Sequence, residues 1–156
     1  NCEEVNNMKI YLGTDHAGFE LKEKIKQWLE EWGYDHEDLG AFSYDAEDDY
    51  PDFIRPVAEK VAQDPENNRG IVLGGSGQGE AIVCNREEGV YATVYATKEL
   101  DLELVNWMRE HNESNVISLA ARRVSEEDAK QVVKTWLDTP FTGEERHVRR
   151  IAKIDL

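Results

Sequence analysis

The sequence contains few of the residues that build covalent or metal-bound frameworks. Only two cysteines occur among its 156 residues, Cys2 and Cys84. A disulfide scaffold is therefore excluded, because such scaffolds need several cysteine pairs. No Cys or His pairs occur at the short spacing that zinc sites use, so a zinc site is not expected. This sparse cysteine content predicts a reducing, cytoplasmic environment.

Basic residues are also scarce, with 18 Lys and Arg against 33 Asp and Glu, for a net charge of -15. A surface this acidic repels nucleic acid and anionic membranes, and neither is expected as a partner. No apolar run approaches the length of a membrane span, and residues 1–7 are too polar for a signal peptide. We predict a loose N-terminal tail over 1–7 and a folded domain over 8–156.

Hydrophobic residues make up 40% of the chain, enough for a single folded domain. Strand-type apolar runs alternate with amphipathic helical stretches. The strand-type runs are 8–12, 70–73, 90–95 and 116–119, and the helical stretches are 19–32, 54–62, 81–86, 100–108 and one capped by Ser125. Strand and helix alternate five times, with four of the strands placed in these runs, and the alternation predicts a Rossmann-like α/β domain, doubly wound, with a five-stranded parallel sheet and helices on both faces.

The segment Gly74–Glu80, Gly-Gly-Ser-Gly-Gln-Gly-Glu, stands between a predicted buried strand and a helix. Ligands of doubly wound folds bind at the carboxyl ends of strands, and closely spaced glycines let backbone N–H groups converge on an anion. A tight turn without a ligand is the alternative. The spacing matches neither a phosphate-binding Walker loop nor a full dinucleotide fingerprint, so a nucleotide site is poorly supported.

Carboxylates and histidines follow the predicted strands. Glu80 is either an ordinary acid in the first turn of a helix or a general base that faces the loop's ligand. Asp15 after the first strand is either a helix N-cap or a site residue, and His16 beside it favours the site. His111 with Asn112 lies near a helix end, where a histidine is often only a partner of the helix dipole.

A basic cluster, Arg146-His147-Val148-Arg149-Arg150, closes this acidic chain. It is either a solvated helix face or a phosphate grip, because arginine forks suit bidentate contacts with phosphate. The Gly-rich loop, the carboxylates, the histidines and this cluster together suit an anionic, polyhydroxylated substrate. Proton transfer next to a carbonyl fits these groups, since the enediolate needs N–H donors and the proton needs one base.

These motifs, in this order, resemble the type B ribose-5-phosphate isomerases, a family that includes galactose-6-phosphate isomerase subunits. The resemblance runs from Met8 to about Ile154, and its motifs are Asp15–Gly18, Asp49–Asp52, Gly74–Glu80, His111–Asn115, Ala121-Arg122 and Arg146–Arg150. Many members carry a catalytic Cys where this chain has Gly74. A subgroup similar to the mycobacterial enzymes uses a Glu at the position of Glu80. Cys84 is expected to be a small buried hydrophobe.

The resemblance implies an activity and a role for each motif. The chain would interconvert D-ribose 5-phosphate and D-ribulose 5-phosphate through an enediolate, with Glu80 moving the proton between C2 and C1. The residues implied in ring opening are Asp15 and His111, and those implied in holding the enediolate are Ser76 and the N–H groups around Gly75, Gly77 and Gly79. The residues implied in phosphate or other substrate binding are His16, Tyr50, Asn112, Arg122, Arg146 and Arg150.

No metal or organic cofactor is implied, and the partner is a small sugar phosphate. The family's sites lie across a dimer interface, so the resemblance implies a homodimer, or a tetramer, with shared active sites. His111, Asn112 and Arg122 would come from the neighbouring subunit. Two alternatives stay open, namely isomerisation of a hexose 6-phosphate or tetrulose phosphate, and a non-catalytic sugar-phosphate or nucleotide-binding module. Departures at Tyr91 and at Glu144-Glu145 bear on the identity of the sugar.

Overall fold

The computed structural model describes residues 8–156, and the predicted tail over 1–7 lies outside them. Within this range the five strands are β1 (Lys9–Thr14), β2 (Asp35–Asp38), β3 (Asn68–Gly74), β4 (Ala92–Tyr95) and β5 (Val116–Ala120). The six α-helices described are α1 (Phe19–Trp32), α2 (Pro51–Gln63), α3 (Gln78–Cys84), α4 (Leu102–Glu110), α5 (Glu126–Asp138) and α6 (Glu145–Ile151), and a 3-10 turn (His16–Gly18) precedes α1. None of these helices combines the length and apolar character needed to cross a bilayer.

The strands form one parallel sheet in the order β2-β1-β3-β5-β4. The chain runs from β1 outward to β2 on one side and then crosses to β3 on the other side of β1. It continues to β4 at the far side, and β5 then lies between β3 and β4. This reversal of direction defines a doubly wound sheet and places a crevice at the carboxyl ends of the central strands. The predicted fold class is confirmed.

Both faces of the sheet are covered, and the strand residues alternate between two hydrophobic cores. Ile10 and Leu12 of β1 pack with α1, α4 and α5, whereas Tyr11 between them packs with α2 and α3. Ile71 and Val72 of β3 divide in the same way. Since consecutive side chains of a strand point to opposite faces, burial on both sides requires the continuous apolar runs seen in the sequence.

Local signals in the sequence agree with the helix ends. Helix α1 has the predicted bounds, and Gly33 terminates it in a left-handed conformation with φ of 81°. The Ser125 side chain caps α5 by accepting a hydrogen bond from the Asp128 N–H. Strand β2 was not located from the sequence, because its residues Asp-His-Glu-Asp are polar and lie at the sheet edge, paired only with β1.

Candidate active site

The carboxyl ends of β1, β3 and β5 are tied together by hydrogen bonds. The buried Thr14 hydroxyl donates to the carbonyl of Leu73 at 3.1 Å. The N–H of Ala121 donates to the carbonyl of Gly74 at 2.8 Å, and that of Arg122 to the carbonyl of Gly75 at 3.2 Å. The segments that follow these three strands are therefore held close together at the carboxyl ends of the strands, which we call the carboxyl edge.

Two glycines, Gly77 directly before α3 and Gly79 in its first turn, lie where a side chain would be strained or would collide with a neighbour. Gly77 has a φ of 76°, in the left-handed region, and its carbonyl accepts a 2.6 Å hydrogen bond from the Ser118 hydroxyl. A Cβ at Gly79 would lie 2.6 Å from the Tyr50 hydroxyl oxygen, so the Tyr50 ring packs directly on the loop. Ser76, by contrast, is exposed. The loop is thus held from behind by Ser118 and from the side by Tyr50.

The Glu80 carboxylate is folded back onto the start of this loop. Its residue is only 5% exposed, in the first turn of α3. A Cβ built on Gly74 would lie 2.6 Å from Oε2 and would collide with the rest of the carboxyl group. Burial raises the pKa of Glu80 above its ordinary value, and the nearby Asp15 charge acts in the same direction. The carboxylate therefore fills the space that a side chain at position 74 would need.

Cys84 does not offer an alternative base. It lies one helical turn after Glu80 and is fully buried among apolar residues. Burial, followed by the neighbouring Glu80 charge, raises the pKa of its thiol to about 12. A thiol with this pKa stays protonated at neutral pH and is a poor nucleophile or base. The prediction that Cys84 is a buried hydrophobe is confirmed.

Asp15 and His16 lie at the end of β1 and share an environment with Asp48. Asp15 is buried and accepts a 3.0 Å hydrogen bond from the Ala17 N–H, as an N-cap does. The His16 ring nitrogen Nδ1 is 2.7 Å from Asp48 Oδ1, and the His16 N–H donates to the same oxygen at 3.2 Å. The hydrogen bond with Asp48 raises the pKa of His16. These contacts favour a cationic imidazole at the strand edge.

Asp15, His16 and Asp48 are also the one group in residues 8–156 whose ligand atoms approach closely enough to share a metal ion, all within 4.8 Å. The His16 Nδ1 atom is already held by the Asp48 carboxylate. In this structure that nitrogen therefore has Asp48 as its hydrogen-bond partner.

Arg122 lies against the Gly-rich loop of its own chain. A Cβ at Gly75 would be 3.0 Å from one guanidinium nitrogen of Arg122. Its charge also reaches His16, whose pKa it lowers slightly against the larger effect of Asp48. Arg122 is therefore placed beside the loop of its own chain, whereas the resemblance implies that it serves the site of a neighbouring subunit. Arg122 follows β5 by two residues, and β5 is the strand beside β3.

His111 and Asn112 lie at the other end of the strands, near their amino-terminal ends. Helix α4 runs back from the carboxyl ends, and the segment after it meets the start of β3, where Asn115 accepts a 2.8 Å hydrogen bond from the Gly70 N–H. From Gly70 to Gly74 the strand rises about 13 Å. Within one chain, His111 and Glu80 are therefore separated by the length of the sheet.

Helix α6 brings the basic cluster to His111. The His147 ring stacks on the His111 ring with centroids 4.7 Å apart and planes 21° apart. Arg146 and Arg150 both lie close enough to lower the pKa of His147, after the larger effect of its burial. Arg146 is exposed and its Nε donates to Glu144 at 3.0 Å, whereas Arg149 pairs with Glu145 at 3.1 Å. The two glutamates that depart from the family pattern therefore lie beside these arginines.

The predicted residues thus form two groups. The first, at the carboxyl edge, contains Asp15, His16, Tyr50, Gly75, Ser76, Gly77, Gly79, Glu80 and Arg122. The second, around α6, contains His111, Asn112, Arg146 and Arg150. Tyr91 lines a cavity together with Asn112 of the second group, and its hydroxyl donates to Asp155 at 3.0 Å.

The profile of the ribose/galactose isomerase family matches residues 10–154. The chain belongs to this family. Ribose-5-phosphate isomerase B of Mycolicibacterium paratuberculosis is 42% identical over 144 residues, which cover 92% of this chain and 87% of that protein. The ribose-5-phosphate isomerase B of Mycobacterium tuberculosis H37Rv is 38% identical over 147 residues, covering 94% of this chain and 88% of that protein.

Solved structures of the ribose/galactose isomerase family share the same fold. The ribose-5-phosphate isomerase B of Mycoplasma genitalium, crystallised with bound ribulose-5-phosphate, has a TM-score of 0.90 and 34% identity, covering 96% of this chain and 95% of that one. A ribose 5-phosphate isomerase of Thermotoga maritima has a TM-score of 0.85 and 39% identity, covering 95% of this chain and 97% of that one.

Three further residues of this family member contact the site but were not predicted to act there. Thr14 and Ser118 hold the strand ends and the Gly-rich loop through their hydroxyls. Asp48 contacts His16 and lies in a loop that contains several acids, directly before the motif Asp49–Asp52. Its proximity to that motif was the only signal, and composition could not distinguish it from its acidic neighbours.

Proposed function

We propose that residues 8–156 form a sugar-phosphate isomerase domain that interconverts D-ribose 5-phosphate and D-ribulose 5-phosphate. The observation that carries this proposal is the buried Glu80 carboxylate, held against the Gly-rich loop with a raised pKa. The relatives named ribose-5-phosphate isomerase B and the bound ribulose-5-phosphate in one of them support the substrate. The reaction moves a proton and leaves the oxidation state of the whole molecule unchanged, so it needs no redox cofactor.

Glu80 is the general base in this proposal. It removes the proton from C2 of the open-chain aldose and returns it to C1 through an enediolate, while the O2 hydroxyl proton passes to O1 and the carbonyl moves from C1 to C2. A raised pKa makes the carboxylate a stronger base than an exposed glutamate, which suits proton abstraction next to a carbonyl. Ser76 and the N–H groups of Gly75, Gly77 and Gly79 hold the enediolate oxygen, because they follow the same strand end.

The remaining residues bind and open the sugar. Asp15 and His111 assist opening of the furanose ring, and Tyr50 and Asn112 contact the substrate. His16 and Arg122 at the carboxyl edge, with Arg146 and Arg150 on α6, bind the phosphate. The net charge of -15 makes such a local set of cations necessary for an anionic substrate.

The two groups of residues can act together only if two copies of the chain meet. In one copy they lie at opposite ends of the strands, the first at the carboxyl ends and the second near the amino-terminal ends. We propose a homodimer, or a tetramer built from such dimers, in which each site joins the Glu80 edge of one copy to the His111 and α6 region of the other. A cytoplasmic location is part of the proposal and rests on the sparse cysteine content and the buried free thiol of Cys84.

A panel of sugar phosphates tests this function. The purified protein is assayed for interconversion of ribose 5-phosphate, a hexose 6-phosphate and a tetrulose phosphate with their isomers. We expect the highest kcat/KM for ribose 5-phosphate. A higher value for another sugar phosphate would reassign the substrate, and binding without interconversion of any of them would identify a non-catalytic module.

Replacing Arg146 or Arg150 by alanine is expected to weaken binding of phosphorylated ligands. Each charge-assisted contact is worth roughly 1.5–3 kcal/mol, which corresponds to an increase in KM of about 10–150-fold. The measurement is KM together with the inhibition constant of inorganic phosphate.

Arg149→Ala is the matched control for these two variants. Arg149 lies on the same helix but pairs with Glu145, whereas Arg146 and Arg150, four residues apart, share one face of α6. We expect little change in KM for the control. Equal effects of all three substitutions would show that only the general charge of the helix matters, and unchanged KM in Arg146→Ala and Arg150→Ala would place the phosphate elsewhere.

A further inference from the structure

Asp48 makes closer contact with a predicted substrate-binding residue than any other acid of its loop. Its Oδ1 atom accepts from both the His16 backbone N–H, at 3.2 Å, and the His16 ring, at 2.7 Å. The Asp48 side chain is only 8% exposed. Its other oxygen, Oδ2, is buried and has no hydrogen-bond partner within residues 8–156. His16 is therefore the group that balances the charge of Asp48.

We propose that Asp48 is a positioning residue that fixes the orientation and protonation of His16 for binding of the substrate phosphate. A ring nitrogen that faces a carboxylate carries its hydrogen, so Nδ1–H donates to Asp48 and the opposite nitrogen, Nε2, is left for the ligand. This inference rests on the proposed function, in which His16 binds phosphate. It adds a residue for which the sequence motifs imply no role.

The charges around His16 decide whether Nε2 also carries a hydrogen. The groups that face the imidazole are Asp48, Asp15 with Oδ2 at 3.9 Å, Arg122, and the Tyr44 ring, whose centroid is 6.1 Å away. The hydrogen bond with Asp48 is the largest influence and raises the pKa of His16; desolvation and Arg122 lower it, and Asp15 raises it. Asp48 therefore favours the imidazolium form, in which Nε2–H donates to an anion.

Two substitutions of Asp48 separate this role from a purely structural one. Asp48→Asn keeps an oxygen that accepts from the His16 backbone and ring but removes the negative charge. Asp48→Ala removes both, together with the tie between the loop and β1. If Asp48 only held the loop, the Asn variant would behave as the parent and the Ala variant would not. Glu47→Gln is the matched control, because it removes one negative charge from an exposed side chain of the same loop.

We expect Asp48→Asn to raise KM and the inhibition constant of inorganic phosphate about threefold to tenfold near pH 7.5, below the full loss of a charge-assisted contact. The value of kcat should change less than about twofold, since binding rather than chemistry is altered. This variant loses the increase in the pKa of His16 that Asp48 causes. As pH rises, its affinity for phosphate should therefore begin to decrease at a lower pH than that of the parent. The difference should shrink at acidic pH, where both proteins carry the imidazolium.

NMR titration of the His16 ring, assigned by comparison with His16→Gln, gives a readout independent of turnover. Asp48→Asn should lower the measured pKa of His16, whereas Glu47→Gln should leave it close to the parent value. An unchanged His16 pKa, or equal phosphate inhibition in the parent and the Asn variant, would overturn the inference. If the parent protein does not isomerise ribose 5-phosphate but Asp48→Asn still lowers the pKa of His16, the proposed function is refuted and the pairing of Asp48 with His16 remains supported.

Discussion

Glu80→Gln is expected to lower kcat by about 10²–10⁴-fold, the usual contribution of a general base. The substitution preserves the size of the side chain, which is packed against Gly74, and removes the atom that accepts the proton. Substrate binding should be largely retained, because the residues proposed to hold the phosphate are unchanged. The measurement is kcat and KM for ribose 5-phosphate, and a loss of less than tenfold would show that another group is the base.

The pH dependence supplies a second readout of the same prediction. The base acts only when deprotonated, and burial raises the pKa of Glu80. The value of kcat/KM in the parent should therefore fall as pH decreases through this raised pKa, at a higher pH than an ordinary glutamate would give. Stability should respond in the opposite direction: protonation of Glu80 stabilises the fold, and this contribution is lost as pH rises through the raised pKa. Glu80→Gln should thus be at least as stable as the parent at neutral pH.

Cys84→Ala is the control for the assignment of the base. Cys84 is one turn from Glu80 on the same helix and has a thiol pKa of about 12, so we expect most of the activity to remain. Its full burial predicts a modest loss of thermal stability from the small cavity that alanine leaves. If this variant lost turnover while remaining folded, the thiol and not Glu80 would be the base.

Mixing two inactive variants should restore activity. In the proposed homodimer each site joins Glu80 of one copy to His111 of the other. Glu80→Gln and His111→Ala should therefore each damage every site of their own homodimer. In a heterodimer one site carries both substitutions and the other carries neither, so each heterodimer should have about half of the parental activity. The two proteins are unfolded mildly and refolded together, and turnover is compared with that of each variant refolded alone. Moderate salt should favour reassembly, because the net charge of -15 makes the subunits repel each other.

A matched mixture controls for changes caused by refolding. Glu80→Gln is refolded with the double variant Glu80→Gln and His111→Ala, in which no site can contain an intact Glu80. This mixture should stay inactive. Recovery in neither mixture, with heterodimers demonstrated by mass spectrometry, would show that His111 serves the site of its own chain or no site.

The sequence predicted the core of the fold because buried strands and helices have recognisable patterns of apolar residues. The runs 8–12, 70–73 and 116–119 are apolar throughout since both faces of those strands are covered, and α1 ends at a glycine that adopts the left-handed conformation. Strand β2 has no such apolar pattern, because its side chains at the sheet edge are polar and its pairing with β1 is made by the backbone. Edge strands are specified by their neighbour more than by their own residues.

The sequence alone also located the chemical groups, since parallel strands place the residues after each of them at one edge. The Gly-rich loop, Asp15, His16 and Glu80 were found in this way. Only the tertiary structure decided which distant residues join them. Asp48 reaches His16 across 32 residues of sequence, and no periodic pattern in its acidic loop distinguishes it from Glu47. The structure likewise placed Arg122 beside the Gly-rich loop of its own chain and His111 near the amino-terminal ends of the strands. Contacts between helices and strands, and not the local conformational preference of the residues, determine where each of these segments lies.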